Sequence, residues 1–314
     1  MFKIKNVIND QNKNIVFKNL VNEWLIEKKN DVKESTFSNY SYIVKSYILQ
    51  EFENESLAHL EKRTYIEYVD DLIQKFKTKT VRDILIILKS ILSYANNKYN
   101  CNIKVKQIRI PKLEQDPIEI LNKEEQRKFQ TYCLKDNSLK SIGLIICIHT
   151  GLRIGEICAL KWKNIDLDKK EICVKSTLQR IYDNKLQQTK IIIDKPKTRA
   201  SMRNIPISTK LYKLLKDIEK QYDKSSFFLS GQEEYYIEPR IYRYYFKKVL
   251  QKCKIRNTYK FHILRHTFAT NCVGVGMDTK SLSEILGHTT VEMTLNKYVH
   301  SSYERKKKYL ERLW

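Results

Sequence analysis

The first hundred residues alternate between apolar and polar positions with the period of an α-helix. Between residues 17 and 29 the apolar members of this repeat are Phe17, Leu20, Val21, Trp24 and Leu25. Similar stripes predict helices over 34–52, 64–76 and 78–99. Thr64, with Glu67 at the capping-box spacing, is predicted to cap the third of these. We therefore predict a helical bundle over residues 16–100, preceded by a flexible N-terminus over residues 1–15.

Residues 101–121 interrupt the helical pattern. Pro111 and Pro117 lie in this stretch, and proline disfavours a helix both at its own position and at the residue before it. No apolar repeat of helical spacing replaces the one that ends near residue 99. We therefore predict an extended linker between two domains.

After residue 121 the pattern changes to helices mixed with strands. Asn122 and Glu125 form a predicted capping pair that starts a helix over 123–134. Further helices are predicted over 139–149, 153–160, 208–222, 238–252, 261–273, 278–286 and 290–299. Alternating segments predict strands over 171–178, 187–194 and 203–207. The predicted fold is mainly α with a small antiparallel β-sheet: an N-terminal helical domain, an α+β domain over 122–300 and a tail helix over 301–314.

The charge of the chain is strongly one-sided. Lysine and arginine number 59 and aspartate and glutamate 36, so the formal net charge is +23. This excess favours a nucleic acid as the partner. Nucleotide bias in the gene explains the many lysines better than it explains the excess of cations over anions. The linker contains the candidate DNA contacts Lys104, Lys106, Arg109 and Lys112. The alternative is that these side chains form a solvated surface.

Several classes of protein are excluded by what the sequence lacks. Neither G-x-x-x-x-G-K nor G-x-G-x-x-G occurs, which argues against nucleotide cradles. The seven cysteines form no C-x-x-C pair and are typical of a reduced, intracellular protein. H-E-x-x-H is also absent, so we predict neither a metal nor a cofactor. The sequence shows no signal peptide and no apolar run of membrane-spanning length, so we expect a cytoplasmic protein with no membrane partner.

The second domain carries a cluster of basic motifs that ends in a tyrosine. The motifs are H-I-L-R-H beginning at His262, L-G-H ending at His288, and Tyr298 ten residues later. Arg153 adds a second arginine upstream, in addition to Arg265. The planar fork of arginine binds two phosphate oxygens at once, and a tyrosine hydroxyl is a usable nucleophile. The combination predicts phosphoryl transfer to a tyrosine.

Taken singly, each of these residues has a structural alternative. His262 and His288 could be core or capping residues, and Arg153 with Glu156 could be an ordinary helix ion pair. Glu156 could equally support the site by orienting Arg153. Tyr298 is one of twenty tyrosines. The prediction depends on the order and spacing of the whole set.

Taken together, the motifs resemble the tyrosine recombinase (phage integrase) family over about residues 120–300. They are T-G-L-R-I-G-E from Thr150, the Pro-Lys-Thr segment around Lys197, H-x-L-R-H-T-F-A-T, L-G-H and the tyrosine. The N-terminal bundle resembles that family's core-binding domain. P-K-T-x-x-S-x-R-x-I-P-I and the long hairpin are most similar to integrases of conjugative transposons. Within the family, an Xer-type recombinase that resolves chromosomes or plasmids is the alternative.

The resemblance implies an enzyme that breaks and rejoins DNA through a 3′-phosphotyrosine without ATP. Tyr298 would be the nucleophile, with Tyr303 and Tyr309 as rivals in the tail. Arg153 and Arg265 would hold the phosphate, and the other roles are similarly implied. His288 would donate a hydrogen bond to the phosphate, His262 would assist proton transfer at the nucleophile, and Lys197 would protonate the 5′-oxygen, with Lys195 and Lys190 as rivals.

The resemblance also implies partners. The substrate would be double-stranded DNA recombination sites, bound by a homotetramer on synapsed DNA that is a monomer without DNA. An excisionase or a DNA-bending host factor would be a further partner. Leu310, Leu313 and Trp314 of the tail would dock on a neighbouring protomer, with packing in cis as the alternative. The chain starts almost directly at the core-binding helices, so we expect an arm-binding domain to be lacking or removed.

Two interpretations outside the recombinases also stay open. A type IB topoisomerase-like enzyme would use a similar nucleophile and similar cations, but would relax DNA without defined sites. A non-catalytic DNA-binding regulator would use the excess positive charge to bind DNA but would not cleave it.

Overall fold

The structure is a computed structural model that describes residues 14–113, 117–183, 186–194 and 202–298, and also residues 307, 310 and 311. The described part of the chain divides into two compact units. The first contains the residues up to 113 and the outer part of a hairpin, 181–183 with 186–190. The second contains the remaining residues from 117 onwards.

The first unit is the predicted helical bundle. Its helices are α1 (Phe17–Asp31), α2 (Glu34–Ile43), α3 (Leu49–Phe52), α4 (Leu57–Lys62), α5 (Ile66–Lys75) and α6 (Thr78–Tyr99). Helix α6 has the bounds predicted from its apolar stripe, and it packs against α1, α2 and α5. A π-helical turn, Val44–Ile48, joins α2 to α3, so the predicted helix over 34–52 is continuous but locally widened.

Two details of the predicted bundle are wrong. Thr64 does not cap α5, whose N-cap is Tyr65 and which has no side-chain cap. Tyr65 is buried instead, and its hydroxyl donates a hydrogen bond to the carbonyl oxygen of Leu60 at 3.1 Å. Helix α4 was not predicted because it is less than two turns long, too short for a periodic stripe. It begins at the cap Ser56, whose hydroxyl accepts a hydrogen bond from a backbone N–H.

Residues 101–113, expected to form an extended linker, lie in the first unit. Ile103 and Ile108 are buried in its core, on either side of a 3₁₀ turn over Val105–Gln107. The ammonium of Lys89 donates to the carbonyl oxygen of Ile108 at 3.0 Å. The candidate DNA contacts in this segment are all exposed: Lys104, Lys106, Arg109 and Lys112.

The second unit is mostly helical. Its helices are α7 (Lys123–Asp136), α8 (Leu139–Thr150), α9 (Ile154–Ala159), α10 (Thr209–Glu219), α11 (Pro239–Lys252), α12 (Ile263–Gly274), α13 (Thr279–Leu286) and α14 (Glu292–Tyr298). The predicted capping box of α7 is present, with Asn122 and Glu125 bonded reciprocally. Helix α8 is buried on nearly every side and forms the centre of the core. None of the helices among the described residues is long and apolar enough to cross a membrane.

The strands form two antiparallel sheets. β1 (Ile165–Asp166), β2 (Glu171–Val174) and β5 (Arg203–Pro206) lie in the order β1-β2-β5, with Ile172 opposite Ile205. β3 (Thr177–Asp183) and β4 (Gln188–Asp194) form the separate hairpin. The single strand predicted over 171–178 is therefore two strands of different sheets. The break comes after Val174, where the pairing with β5 ends. Thr177, the first residue of β3, then lies beside Gly155.

Candidate active site

Arg153 lies where α8 ends and α9 begins. Gly151 closes α8 in the left-handed region at φ +68°, and its N–H donates to the carbonyl oxygen of Cys147. Arg153 then takes the N-cap position of α9. Its backbone N–H and its Nη1 both donate to the carboxylate of Glu156 at 2.8 Å, and its Nη2 donates to the carbonyl oxygen of Gly287 at 3.1 Å.

Glu156 is a buried carboxylate that Arg153 shares with Arg203. The guanidinium of Arg203 donates from Nη1 at 3.1 Å and from Nη2 at 2.9 Å to the two carboxylate oxygens. Its Nε donates to the carbonyl oxygen of Ile285, near the end of α13. Burial alone would raise the pKa of Glu156, but the hydrogen bonds and charge of Arg203, with the charge of Arg153, lower it to about 2. Glu156 is therefore an anion at neutral pH that fixes both guanidinium groups.

Arg265 is the most enclosed cation of the site, with 2 % of its surface exposed. Its Nη1 donates to the carbonyl oxygen of Gly151 at 2.9 Å and its Nη2 to that of Leu286 at 2.7 Å. These carbonyls belong to the C-terminal ends of α8 and α13, where the helix dipole favours a cation. Burial, and then the charge of Arg153, lowers the pKa of Arg265 to about 9, so it stays charged at neutral pH.

The histidines surround the tyrosine. His262 is the N-cap of α12, and its ring meets that of His266 edge-on, with the centroids 4.7 Å apart. His288 follows Gly287, which ends α13 in the left-handed region, and its Nδ1 lies 2.7 Å from the hydroxyl of Thr294. The hydroxyl of Tyr298 lies 2.8 Å from Nδ1 of His266. The Tyr298 hydroxyl is thus hydrogen-bonded to His266, and the ring of the predicted His262 packs against the His266 ring.

The surroundings make these imidazoles poor proton carriers in the free protein. Burial, followed by the charges of Lys297 and Arg265, lowers the pKa of His266 to about 4. Burial, followed by the charges of Arg265 and Arg153, lowers the pKa of His288 to about 4. Burial raises the pKa of the Tyr298 hydroxyl, a shift that the two arginines partly oppose. At neutral pH the rings are neutral, and the phenol is protonated.

The second unit brings together most of the predicted site residues. They are Arg153, Glu156, His262, Arg265, His288 and Tyr298. Lys197 and its rival Lys195 lie outside the described residues, as do Tyr303 and Tyr309. The other rival, Lys190, belongs to the first unit, where it forms ion pairs with Glu34 at 2.7 Å and Asp183 at 3.0 Å.

Sequence reasoning missed two residues of the site, Arg203 and His266. Arg203 begins strand β5, and its side chain is only 6 % exposed. In a chain with 45 lysines and 14 arginines, an arginine inside a motif is the sequence signal that could have pointed to Arg203. His266 stands four residues after His262, the spacing that places two side chains on one helix face. That spacing could have pointed to a pair of imidazoles beside the tyrosine.

The site contains a buried tyrosine beside two arginines and several imidazoles, on a mainly helical fold of two units. These are the side chains that an enzyme needs to transfer a phosphodiester to tyrosine. The chain belongs to the phage integrase family. Residues 112–305 match the phage integrase family model, and residues 16–73 match the phage integrase N-terminal SAM-like domain. The predictions of the family, of the mainly α fold and of a tyrosine recombinase that breaks and rejoins DNA are confirmed.

Relatives of this family align with most of the chain. A XerC-like tyrosine recombinase of Caldanaerobacter subterraneus subsp. tengcongensis is 30% identical, over 99% of this chain and 85% of that protein. The ICEBs1 integrase of Bacillus subtilis is 25% identical, over 96% and 84%. The transposase from transposon Tn916 of Enterococcus faecalis is 27% identical, over 63% and 51%.

The fold is also found in a solved structure. The Tn1549 transposon integrase in complex with transposon right-end DNA superposes with a TM-score of 0.77 at 21% sequence identity. The match covers 95% of this chain and 99% of that one. At this identity the likeness concerns the fold, including the helical first unit and the mixed second unit.

Proposed function

We propose that this recombinase integrates and excises a mobile element of the conjugative-transposon type. Its substrate is double-stranded DNA at the ends of the element and at the target site. The names of two relatives, the ICEBs1 integrase and the Tn916 transposase, support this choice, as does the fold shared with a transposon integrase bound to DNA. The observation that carries the chemistry is the buried Tyr298 hydroxyl, held beside Arg265 and a neutral imidazole.

In this proposal Tyr298 attacks the scissile phosphate, leaving a 3′-phosphotyrosine and a free 5′-hydroxyl. Arg153 and Arg265 stabilise the charge that develops on the non-bridging oxygens. Their other N–H groups are already bonded to Glu156 and to helix-end carbonyls, so the forks are oriented before DNA binds. His288 donates a further hydrogen bond to the phosphate. Lys197 protonates the departing 5′-oxygen.

The assembly in this proposal is a homotetramer on two synapsed duplexes, formed from monomers on binding DNA. The tail completes it by docking on a neighbouring protomer through its apolar residues. Leu310 of that tail is 62 % exposed. An excisionase or a DNA-bending host factor sets the direction of the reaction.

One alternative has an observation in its favour. The XerC-like relative supports a resolution recombinase that joins sites on one molecule. A plasmid carrying both ends of the element that contains the gene distinguishes the two. The proposal predicts excision of a circular product that joins the two ends. No circular product from this plasmid, together with recombination of a second plasmid that carries chromosomal dimer-resolution sites, would support the alternative instead.

The same plasmid assay addresses a topoisomerase-like activity. A supercoiled plasmid that lacks element ends should keep its superhelical density. Relaxation of that plasmid at the rate seen with element ends would contradict site-specific recombination.

A further inference from the structure

The nucleophile is hydrogen-bonded to an imidazole that sequence reasoning did not assign. Nδ1 of His266 lies 2.8 Å from the Tyr298 hydroxyl, and the two ring centroids are 5.7 Å apart. His266 lies in the first turns of α12, immediately after Arg265. Its ring is half-buried, so the contact is shielded from solvent while remaining open to the site.

The other cationic or basic groups near the tyrosine are less suited to take its proton. The ring of His288 lies parallel to that of Tyr298 at 6.5 Å, and its Nδ1 is bonded to Thr294. Among the described histidines, His266 alone has a hydrogen bond to the Tyr298 hydroxyl. The ammonium of Lys297 lies over the phenol ring, 5.9 Å from its centroid. The guanidinium of Arg265 stays charged and offers no lone pair.

We propose that His266 is a catalytic residue that takes the proton of Tyr298 during DNA cleavage and returns it during ligation. This inference rests on the proposed function. The neutral ring carries its proton on Nε2, so that the phenol O–H donates to Nδ1. As the oxygen of Tyr298 bonds to phosphorus, its proton passes to Nδ1 and the bond from phosphorus to the 5′-oxygen breaks. The electron pair of that bond leaves with the 5′-oxygen, which is protonated by a different group.

The electrostatics of the site agree with this role. The phenol is harder to ionise than in water, so attack at neutral pH needs a proton acceptor at the hydroxyl. The His266 ring is neutral at that pH and can accept. When a DNA phosphate enters, its negative charge stabilises the imidazolium that forms, offsetting Lys297 and Arg265. His262, edge-on to His266, lies where it can share that charge.

The test measures how fast the covalent protein–DNA adduct forms. A duplex nicked beside the scissile phosphate loses a short 5′-strand after cleavage, so the adduct accumulates. The variants are His266→Asn and His266→Ala. Asparagine keeps a hydrogen-bonding group near the position of Nδ1 but cannot carry a proton. His149→Asn, on helix α8, where the histidine bonds Gln130, is the control for losing an imidazole from the same unit.

We expect both His266 variants to form adduct about 10²–10⁴-fold more slowly than wild type, the usual range for a general base. His149→Asn should stay within about threefold of wild type. Gel shifts and thermal unfolding should show that His266→Asn still binds DNA and folds. An adduct rate for His266→Asn close to that of wild type would overturn the inference and leave His266 as a positioning residue.

A second substrate separates the nucleophile side from the leaving-group side. A duplex with sulfur in place of the bridging 5′-oxygen releases a thiolate, which needs no proton. The defect of His266→Asn should persist on this duplex, because Tyr298 still has to lose its proton. Recovery to the wild-type rate would place His266 on the leaving-group side and refute the proposal. If wild type itself forms no adduct on any element end, the proposed function fails, a result distinct from a normal rate in the variant.

The pH profile adds a readout that a structural role would not change. The charged and titratable groups facing His266 are Arg265 and His262 from α12 and its N-cap, and Lys297 and Tyr298 from α14. The wild-type adduct rate should fall on acidification, as the acceptor becomes protonated. In His266→Asn that acidic limb should flatten. An unchanged acidic limb would argue against His266 as the acceptor.

Discussion

Arg203 shows how much of the site depends on one buried carboxylate. With Arg153 it surrounds Glu156, which is 5 % exposed, and it also bonds the end of α13. Breaking a buried pair by removing one partner typically costs about 3–5 kcal/mol, because it leaves an uncompensated charge. Arg203 is therefore a positioning residue: it holds Glu156 and, through Glu156, the guanidinium of Arg153, which we propose binds the phosphate.

We predict that Arg203→Met lowers the free energy of unfolding by about 3 kcal/mol and slows adduct formation at least tenfold. Arg203→Lys should recover part of the free energy of unfolding, because its ammonium still faces Glu156. It should recover less of the adduct rate, because lysine lacks the planar guanidinium that bonds both carboxylate oxygens. Denaturant unfolding and the nicked-duplex assay measure the two effects. Arg256→Met, which breaks an exposed pair with Glu119, is the matched control and should cost at most about 1 kcal/mol. Equal losses in the two variants would contradict this account.

The lowered pKa values predict how the stability of the free protein depends on pH. His266 and His288 have pKa values of about 4 when folded, against about 6.5 in an unfolded chain. The unfolded chain therefore binds more protons between about pH 6.5 and pH 4, and the free energy of unfolding should fall as the pH drops through this window. The exposed His262 is better screened by solvent and should contribute less. Below about pH 4, protonation of Glu156 adds a further loss as the pH falls towards 2.

Urea unfolding at a series of pH values measures this dependence. In His266→Asn the fall between pH 6.5 and pH 4 should be shallower than in wild type, because one of the two half-buried rings is gone. Identical slopes for the two proteins would show that His266 is not held neutral by the fold.

At the scale of elements, the site is built from helix ends. Gly151 ends α8 at φ +68°, and a Cβ there would lie 2.7 Å from the Phe268 ring and 2.8 Å from the side chain of Leu286. Its carbonyl oxygen, like that of Leu286, accepts a hydrogen bond from Arg265. A change at this turn should therefore displace Arg265, the cation that we propose binds the phosphate, without altering Arg265 itself.

We predict that Gly151→Ala destabilises the protein by more than the about 1–2 kcal/mol expected for the left-handed conformation alone, and slows adduct formation. Gly276→Ala is the matched control, since Gly276 has φ +87° and no atom of the described residues lies within 4 Å of the added Cβ. It should show the conformational cost and keep its cleavage rate. Thermal unfolding and the nicked-duplex assay report both quantities. Equal rates in the two variants would mean that the turn does not position Arg265.

The elements that could be predicted from sequence are those whose signal is local. A stripe of seven apolar residues, all buried in the structure, predicts α6 with its observed bounds, and the capping box predicts the start of α7. Helix α4 has too few residues for a stripe, and the break between β2 and β3 depends on pairing with β5, which is distant in sequence. The motifs contain the residues that the second unit brings together, and Arg203 and His266 also stand in motifs. These two could not be given roles from sequence, because their partners, Glu156 and Tyr298, are 47 and 32 residues away.

At the scale of the whole molecule, the net charge of +23 predicts binding that depends strongly on salt. If the protein contacts six to ten phosphates, raising the salt from 50 to 200 mM should lower its affinity for DNA by about 10³–10⁵-fold. We predict that Lys106→Gln with Arg109→Gln lowers the slope of log affinity against log salt by about 2, one for each lost contact. Fluorescence anisotropy at several salt concentrations measures this slope.

The matched control changes two cationic residues elsewhere in the same unit. Lys18→Gln with Lys75→Gln removes ammonium groups that are paired with Glu53 and Asp71. This double variant should keep the wild-type slope. An equal fall in both double variants would indicate that general charge, rather than residues 101–113, governs binding.

The most direct test of the account asks whether DNA becomes joined to Tyr298. Wild type and Tyr298→Phe are each incubated with the nicked duplex carrying an element end, and the products are separated on a denaturing gel. We predict a wild-type band that resists detergent, disappears on protease treatment and yields a peptide with DNA attached at Tyr298, and no such band for Tyr298→Phe. An adduct that persists in Tyr298→Phe, or that maps to Tyr303 or Tyr309, would contradict the account.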